Sequence, residues 1–348
     1  DRWVQDNMQT GYQSLPTVGG ARAIPTYLNT VRGFGQGDLR AFVPEELLGR
    51  DLGFVDPGGA ESSHNYGGNI EITAPYSTAQ RPWPFGRLLV GGGSGGTING
   101  AAHSDTVTRQ ERAFLDAQIQ GPALELSSEW LMVGHLDEIF LLVPAPNTQA
   151  ERKWKVVFSS PELALGHMRQ LQASGQGSAV VFQALEIPRY NRFGEITGWQ
   201  AAQTTVDAML LDTEMVEYNQ RVQARIDSIR ERLAAEMNLT ADDVVEVPVL
   251  YEIDGYDGAA DLSAAKNPGV QNLVVVNDEL FVPNPQGPMV GGVDGWQALT
   301  RQALEPLGID VSFVDVWYSY HILVGEIHCG TEVQHVPYEA AWWAVEGR

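Results

Sequence analysis

Short apolar runs rich in Val, Leu and Phe recur along the whole chain, and between them lie stretches whose apolar residues return every three or four positions. The runs "GRLLVGGG", "KWKVVFSS", "SAVVFQAL", "DDVVEVPVLYEI", "NLVVVNDELFVP" and "DVSFVDVW" read as strands, as does "WLMVGHLDEIFLLVP". The helical period covers "SDTVTRQERAFLDAQIQ", opened by Ser104 or Asp105 as a cap, and "PELALGHMRQLQA". It also covers the long "EMVEYNQRVQARIDSIRERLAAEMN" and "DGWQALTRQALEPLG". Strands and helices mixed throughout predict an α/β protein.

Glycine and proline punctuate the chain heavily, yet no Ser/Gly/Pro linker or charge block divides it, so residues 1–348 read as one domain. The glycine run from Gly91 to Gly96 lacks both the "GK[ST]" ending of a phosphate loop and the Rossmann spacing, and reads as a surface or site-lining loop. The sequon Asn238-Leu239-Thr240 falls where the long helix ends, so capping accounts for it without glycosylation.

Forty-four acidic against 22 basic residues give a net charge of −22, a field that repels nucleic-acid phosphates and favours a cationic substrate. No apolar run approaches the roughly 18–20 residues that span a bilayer, and "DRWVQDNMQT" lacks the regions of a signal peptide. The chain starts without methionine, which leaves any upstream segment and the compartment open. Its single cysteine, Cys329 in "VGEIHCGTEV", excludes an intrachain disulfide and a thiolate zinc cluster. That thiol is either a small buried hydrophobe or a nucleophile.

Three polar clusters interrupt or end apolar segments: "DRWVQDN" with Asp1 and Asp6, "VGHLDEIF" with His135, Asp137 and Glu138, and "GEIHCGT" with His328 and Cys329. Strand alternation would place His135 and Asp137 on one face and Glu138 on the other. The same alternation turns His328 away from Cys329 and lets Glu326 share the cysteine's face as a supporting group. A thiol, an imidazole and two carboxylates suit one reaction. The carboxylates can hold a planar guanidinium while a thiolate attacks its carbon and the histidine gives a proton to the leaving ammonia. A satisfied buried ion pair inside a sheet is the alternative reading of His135 and Asp137.

In that order, "DRWVQD", "GNIEI", "GHLDEIFLLVPAP", "GEIHCGT" and the terminal "AWW" resemble the catalytic domain of the protein-arginine deiminases, of the guanidino-group-modifying superfamily, from the first residue to the last. The resemblance implies the pentein fold, a five-bladed α/β propeller of ββαβ-type modules with the site where the blades converge. It implies Cys329 as nucleophile, Asp6 and Asp137 as the guanidinium clamp, and His135 as general acid and then base. Trp3 would pack on the aliphatic stem of the arginine, Arg32 would reach the peptide backbone, and Val133 would line the substrate site. It implies a cytoplasmic protein, with secretion by way of an upstream segment left open.

The family uses calcium, and here the sequence departs from it. Asn7, Gln9 and Asn29 stand where the resemblance places carboxylate ligands, while Gln5 and Glu71 match. Three amides for three carboxylates remove most of the charge a divalent cation needs, so calcium is expected to be dispensable or weakly bound. Phe34 replaces a second backbone-binding arginine, and Leu323 and Val324 are apolar where relatives are polar. These departures bear on substrate choice: peptidyl arginine is the first expectation, with free arginine or a small guanidine such as agmatine as the alternative. A non-catalytic arginine-binding domain is a third reading, and an amidinotransferase a fourth.

Overall fold

The computed structural model describes residues 2–30, 39–98, 101–191, 195–253, 262–338 and 341–344. Helices and strands alternate along them, as the mixed pattern requires. Among the described residues the strands pair into small sheets of two to four strands.

One arrangement recurs: two strands pair antiparallel, and the second then takes a parallel partner. Met8–Thr17 pairs with Gly20–Asn29, which takes Gly53–Val55. Ile70–Ile72 pairs with Leu88–Ile98, which takes Leu124–Ser127. Phe140–Pro144 pairs with Trp154–Ser160, which takes Val244–Pro248. Val274–Val276 pairs with Glu279–Pro283, which takes Asp310–Val314. A parallel partner cannot be reached through a tight turn, and each of the four crossovers holds helix: Leu39–Phe42, then Arg109–Asp116, then Pro161–Ala173 with Thr213–Met237, then Gly295–Leu304. The sheet of Thr204–Thr205, Val180–Val181, Met289–Val290 and Val293–Asp294 departs from the pattern.

The long helix shows why these elements hold. Asp212 caps it by accepting from the Met215 N–H at 3.0 Å. Tyr218, Val222, Ile226, Ile229, Leu233 and Met237, three or four apart, are all buried in the apolar cluster that also holds Phe140, Val156 and Phe158. Burying each such side chain stabilises the fold by about 1.5–3 kcal/mol. The helix ends at Asn238, which adopts the left-handed conformation at φ 56°. Thr240 opens the next turn by donating its N–H to Asp243 Oδ2 at 2.8 Å, so both polar positions of the sequon act as caps.

Two expectations are corrected. Ser104 and Asp105 do not cap a helix: Ala101–Thr106 is a strand paired with Leu88–Ile98, and the helix begins at Arg109 after Thr108. Ladder pairing overrides the helical period there. The glycine run is not a loop either, because Gly91 and Gly93 lie within Leu88–Ile98. A Cβ on Gly91 would stand 2.1 Å from Asn69 Oδ1 and 2.2 Å from Ser128 Oγ, and one on Gly93 2.3 Å from Glu129 Oε2. These glycines let polar side chains press against a strand.

Each antiparallel pair is entered through a short turn or loop, at Gln5–Asn7, Gly67–Asn69, Leu136–Glu138 and Gly269–Asn272. Equivalent places in the repeated arrangement thus carry the polar residues that break the hydrophobic pattern. Asn69 fastens one of them: its Nδ2 donates to the carbonyls of His64 and Gly91, and its Oδ1 accepts from the Gly91 N–H at 3.0 Å.

Gly91→Ala, which would drive a methyl into that amide, is expected to cost about 1–3 kcal/mol in urea unfolding. Gly198→Ala, whose Cβ meets nothing within 4 Å, should change stability by less than about 0.5 kcal/mol. Equal midpoints for the two variants would contradict the close packing at Gly91.

Candidate active site

The entry turns bring residues from the start, middle and end of the chain together. Cys329 lies in the turn at residues 327–330, and its carbonyl accepts from the Gln5 N–H at 3.3 Å, joining the two ends of the chain. The buried thiol stands 3.5 Å from Asp137 Oδ2. The side-chain amide of Asn272 also meets it, with Nδ2 at 3.4 Å and Oδ1 at 3.5 Å.

Asp137 has no solvent exposure. Its Oδ2 lies 3.0 Å from His328 Nδ1, and its Oδ1 is buried without a hydrogen-bond partner. His135 precedes it as the cap of the same turn, donating its N–H to Glu138 Oε1 at 2.9 Å. The imidazole Nε2 lies 3.0 Å from the Ser63 carbonyl, which can only accept, so Nε2 carries a proton. Nδ1 then faces the site, 4.0 Å from Asp6 Oδ1. Gly68 passes between these groups: a Cβ there would lie 2.8 Å from both Asp137 Oδ2 and His135 Nδ1. Only glycine fits that passage.

Trp3 packs against Gly325, where a Cβ would meet its ring at 2.5 Å, and its ring centroid is 5.6 Å from that of Tyr320. The Val133 carbonyl accepts from Ser63 Oγ, which places Val133 beside the histidine. Trp3, Gln5, Asp6, His135, Asp137 and Cys329 therefore converge, while Arg32 and Phe34 lie outside the described residues.

The alternation argument fails in both segments to which it was applied. Trp130–Pro144 is not one strand: Gly134 adopts φ 87°, His135 caps a turn, and only Phe140–Pro144 is extended. A side chain on Gly134 would also strike the His64 ring at 2.6 Å. The turn carries both His135 and Asp137 to the site, and Glu138 folds back onto the His135 N–H. At the cysteine, the Gly330 N–H reaches the Glu326 carbonyl and the Thr331 N–H the His328 carbonyl. The backbone is turned rather than extended, so His328 and Cys329 both reach Asp137 Oδ2. Glu326 lies beneath the turn, where its Oε1 accepts from the Gly269 N–H at 3.0 Å and meets His321 Nδ1 at 2.8 Å.

Burial pushes the Cys329 thiol well above its ordinary range, and the carboxylates of Asp137 and then Asp6 push it further. Burial opposes a charge on His328, but the hydrogen bond and charge of Asp137, with Glu71 and Glu332, carry it up to about 9. Burial, set partly against the charge of His328, takes Glu71 up to about 8. Burial takes Glu332 up to about 7, although its Oε1 accepts from the Thr10 N–H at 3.0 Å. A small pocket opens beside the cysteine, lined by Cys329, Asn272, Glu138, Val324, Gly325 and Glu326.

The residues at the expected calcium positions offer that cation oxygens but little charge. Asn7 Nδ2 donates to the Trp3 carbonyl and Gln9 Nε2 to the Ile70 carbonyl. Asn7 Oδ1, Gln9 Oε1 and Glu71 Oε1 are buried without partners, and of these only the glutamate can bring a charge. Among the described residues no three His, Cys, Asp or Glu side chains stand as a metal-holding group.

Sequence reasoning missed Asn272, Ser63, Gly68 and Glu332. Asn272 follows a glycine–proline turn in "NPGVQN", a context that signals a loop but not a contact with a residue 57 positions away.

A family model described as "Protein-arginine deiminase (PAD)" matches residues 1–344. Human "Protein-arginine deiminase type-3" is 32% identical over 346 residues, covering 99% of this chain and 48% of the relative. Human "Protein-arginine deiminase type-1" is 32% identical, over 99% of this chain and 47% of that protein. Rat "Protein-arginine deiminase type-4" is 30% identical, over 99% and 48% respectively. The chain thus spans about half the length of the curated relatives it matches.

The raised carboxyls predict how stability depends on pH. A glutamate neutral when folded, and ionising near 4.5 when unfolded, favours folding below pH 4.5 and loses that contribution as pH rises through its folded value of about 8. The urea midpoint of the wild type should therefore fall relative to Glu71→Gln between pH 5 and pH 8. Parallel curves would mean that Glu71 is ionised in the folded protein.

Proposed function

Because the chain belongs to the protein-arginine deiminase family, we propose that it hydrolyses arginine side chains in proteins or peptides to citrulline and ammonia. The observation that carries this reading is the convergence on one buried point of the Cys329 thiol, the Asp6 and Asp137 carboxylates and the His135 imidazole. The closure of the repeated modules into a single five-bladed propeller domain belongs to the same proposal, supported by four sheets of one pattern whose entry turns supply the site.

Asp6 and Asp137 take the two edges of the guanidinium and fix its central carbon, while Trp3 packs on the methylene stem. The unpartnered Asp137 Oδ1 is an acceptor for one guanidinium N–H. The bound cation offsets the carboxylates that hold the thiol neutral, so Cys329 ionises as substrate binds, and its proton passes to His135 Nδ1. The thiolate adds to the carbon, and the tetrahedral adduct expels ammonia as His135 Nδ1 supplies a proton. A covalent thiouronium remains. Water, losing a proton to the same nitrogen, adds to that carbon, the C–S bond breaks, and citrulline departs. The acidic surface, with its net charge of −22, favours a cationic substrate.

Calcium is dispensable or weakly bound in this reading. The neutral amides Asn7, Gln9 and Asn29 at ligand positions support that view, and no step is routed through the metal.

The test is citrulline and ammonia release from a blocked arginine peptide and from free arginine, each with calcium and with a chelator. The peptide should turn over faster, with activity the same within about twofold in both media, and Cys329→Ser should lower kcat by roughly a thousandfold or more. Turnover surviving in Cys329→Ser would overturn the covalent route, and turnover of free arginine alone would overturn the peptidyl substrate. Sharp micromolar activation by calcium would overturn the metal-free reading.

A further inference from the structure

We infer that Asn272 is a further catalytic residue of this site, whose side-chain amide serves the Cys329 sulfur in both of its protonation states. The inference rests on the deiminase reading for its role in turnover, but the contact itself stands on geometry. Oδ1 at 3.5 Å accepts from the thiol, and Nδ2 at 3.4 Å donates to the thiolate. Both atoms are already at the sulfur, so ionisation requires no movement of the amide.

The position of Asn272 is fixed from several sides. The residue is 1% exposed. Its N–H donates to the Gly269 carbonyl at 3.0 Å, and its carbonyl accepts from the N–H of His328, the residue just before the nucleophile, at 3.4 Å. The Gly269 N–H is fastened in turn to Glu326 Oε1, three residues before the cysteine. Two loops are thereby clamped to each other with the amide against the sulfur. Asn272 also lies two residues before the strand Val274–Val276, as Asp6 lies two before Met8–Thr17, so it stands at an entry position that elsewhere carries a site residue.

The chemistry calls for such a group. The Asp137 carboxylate also lies within reach of the sulfur, and it disfavours a thiolate. A cationic donor at the sulfur would favour the thiolate but repel a guanidinium. A neutral amide stabilises the anion without that cost. When the C–S bond forms, it takes up the lone pair that Nδ2 was holding, and when it breaks, the pair returns to sulfur and to Nδ2. The amide therefore assists both generation of the nucleophile and its release from the thiouronium.

The test reads the thiol directly. Cys329 is the only cysteine, so the rate of alkylation by iodoacetamide at a fixed pH near 8, followed by mass spectrometry, reports one site. Removing a hydrogen bond to a charged group lowers the thiolate fraction roughly 10- to 150-fold, and the higher nucleophilicity of the more basic thiolate offsets part of that, leaving alkylation of Asn272→Ala roughly four- to fifteenfold slower. Asn272→Asp, of the same shape but unable to donate when ionised, should be slowed at least as much, and it carries the test if the alanine variant does not fold. Citrulline formation from a blocked arginine peptide should fall in both variants, chiefly in kcat. Slowed alkylation in a protein that turns over no arginine substrate would sink the deiminase reading and leave the amide's role at the sulfur standing. Alkylation of the folded variants at the wild-type rate would overturn the inference, whatever their turnover.

Discussion

A carboxylate with no solvent exposure cannot be left uncompensated, and the centre of this molecule is built around one, Asp137. One of its oxygens is met at 3.0 Å by His328 and at 3.5 Å by Cys329. That requirement explains features that look unrelated in the chain. The cysteine segment turns so that two consecutive side chains reach the same oxygen. Position 68 is a glycine because a methyl there would touch both Asp137 and His135. The imidazole of His328 is held protonated by the charge it neutralises. Remove the carboxylate and the turn, the glycine and the imidazolium lose their common reason.

The architecture turns this local demand into a site. Four sheets repeat one arrangement, and the stretch that enters each first strand delivers Asp6, Gly68, Asp137 or Asn272. Loops at the ends of packed strands are where a chain can present polar side chains without surrendering its apolar layers. The layers behind them are ordinary: Phe140, Val156 and Phe158 meet the buried face of the long helix and carry no chemistry. Stability and reactivity are therefore held in different residues of the same module.

Much of this was legible in the sequence, for identifiable reasons. The helices Pro161–Ala173 and Thr213–Met237 declare themselves because their apolar positions repeat over several turns between clear caps. The motif residues Asp6, His135, Asp137 and Cys329 stand out because each breaks an apolar run. Alternation failed around Gly134, where a left-handed glycine turns the backbone, and at residues 327–330, where a turn replaces a segment that looks extended by composition. It put Asp137 beside His135 for the wrong reason and kept His328 away from a carboxylate that it touches. Asn272 and Glu332 could not be read at all, since their partners lie 57 and 322 positions distant and nothing local marks them.

The two ends of the chain are laced together at the site: the Gln5 N–H reaches the Cys329 carbonyl, Thr10 binds both Glu332 and the Val333 carbonyl, and Arg2 reaches the Ser319 carbonyl. Contacts of such sequence separation raise the contact order of the fold and close its longest loop. During synthesis, the first ten residues emerge from the ribosome more than three hundred positions ahead of the partners that give them their structure. The modules between these segments can fold before the contacts close, so Trp3, Asp6 and Cys329 come together only once both segments are in place. The geometry around Cys329 is in this sense the last thing that the fold completes.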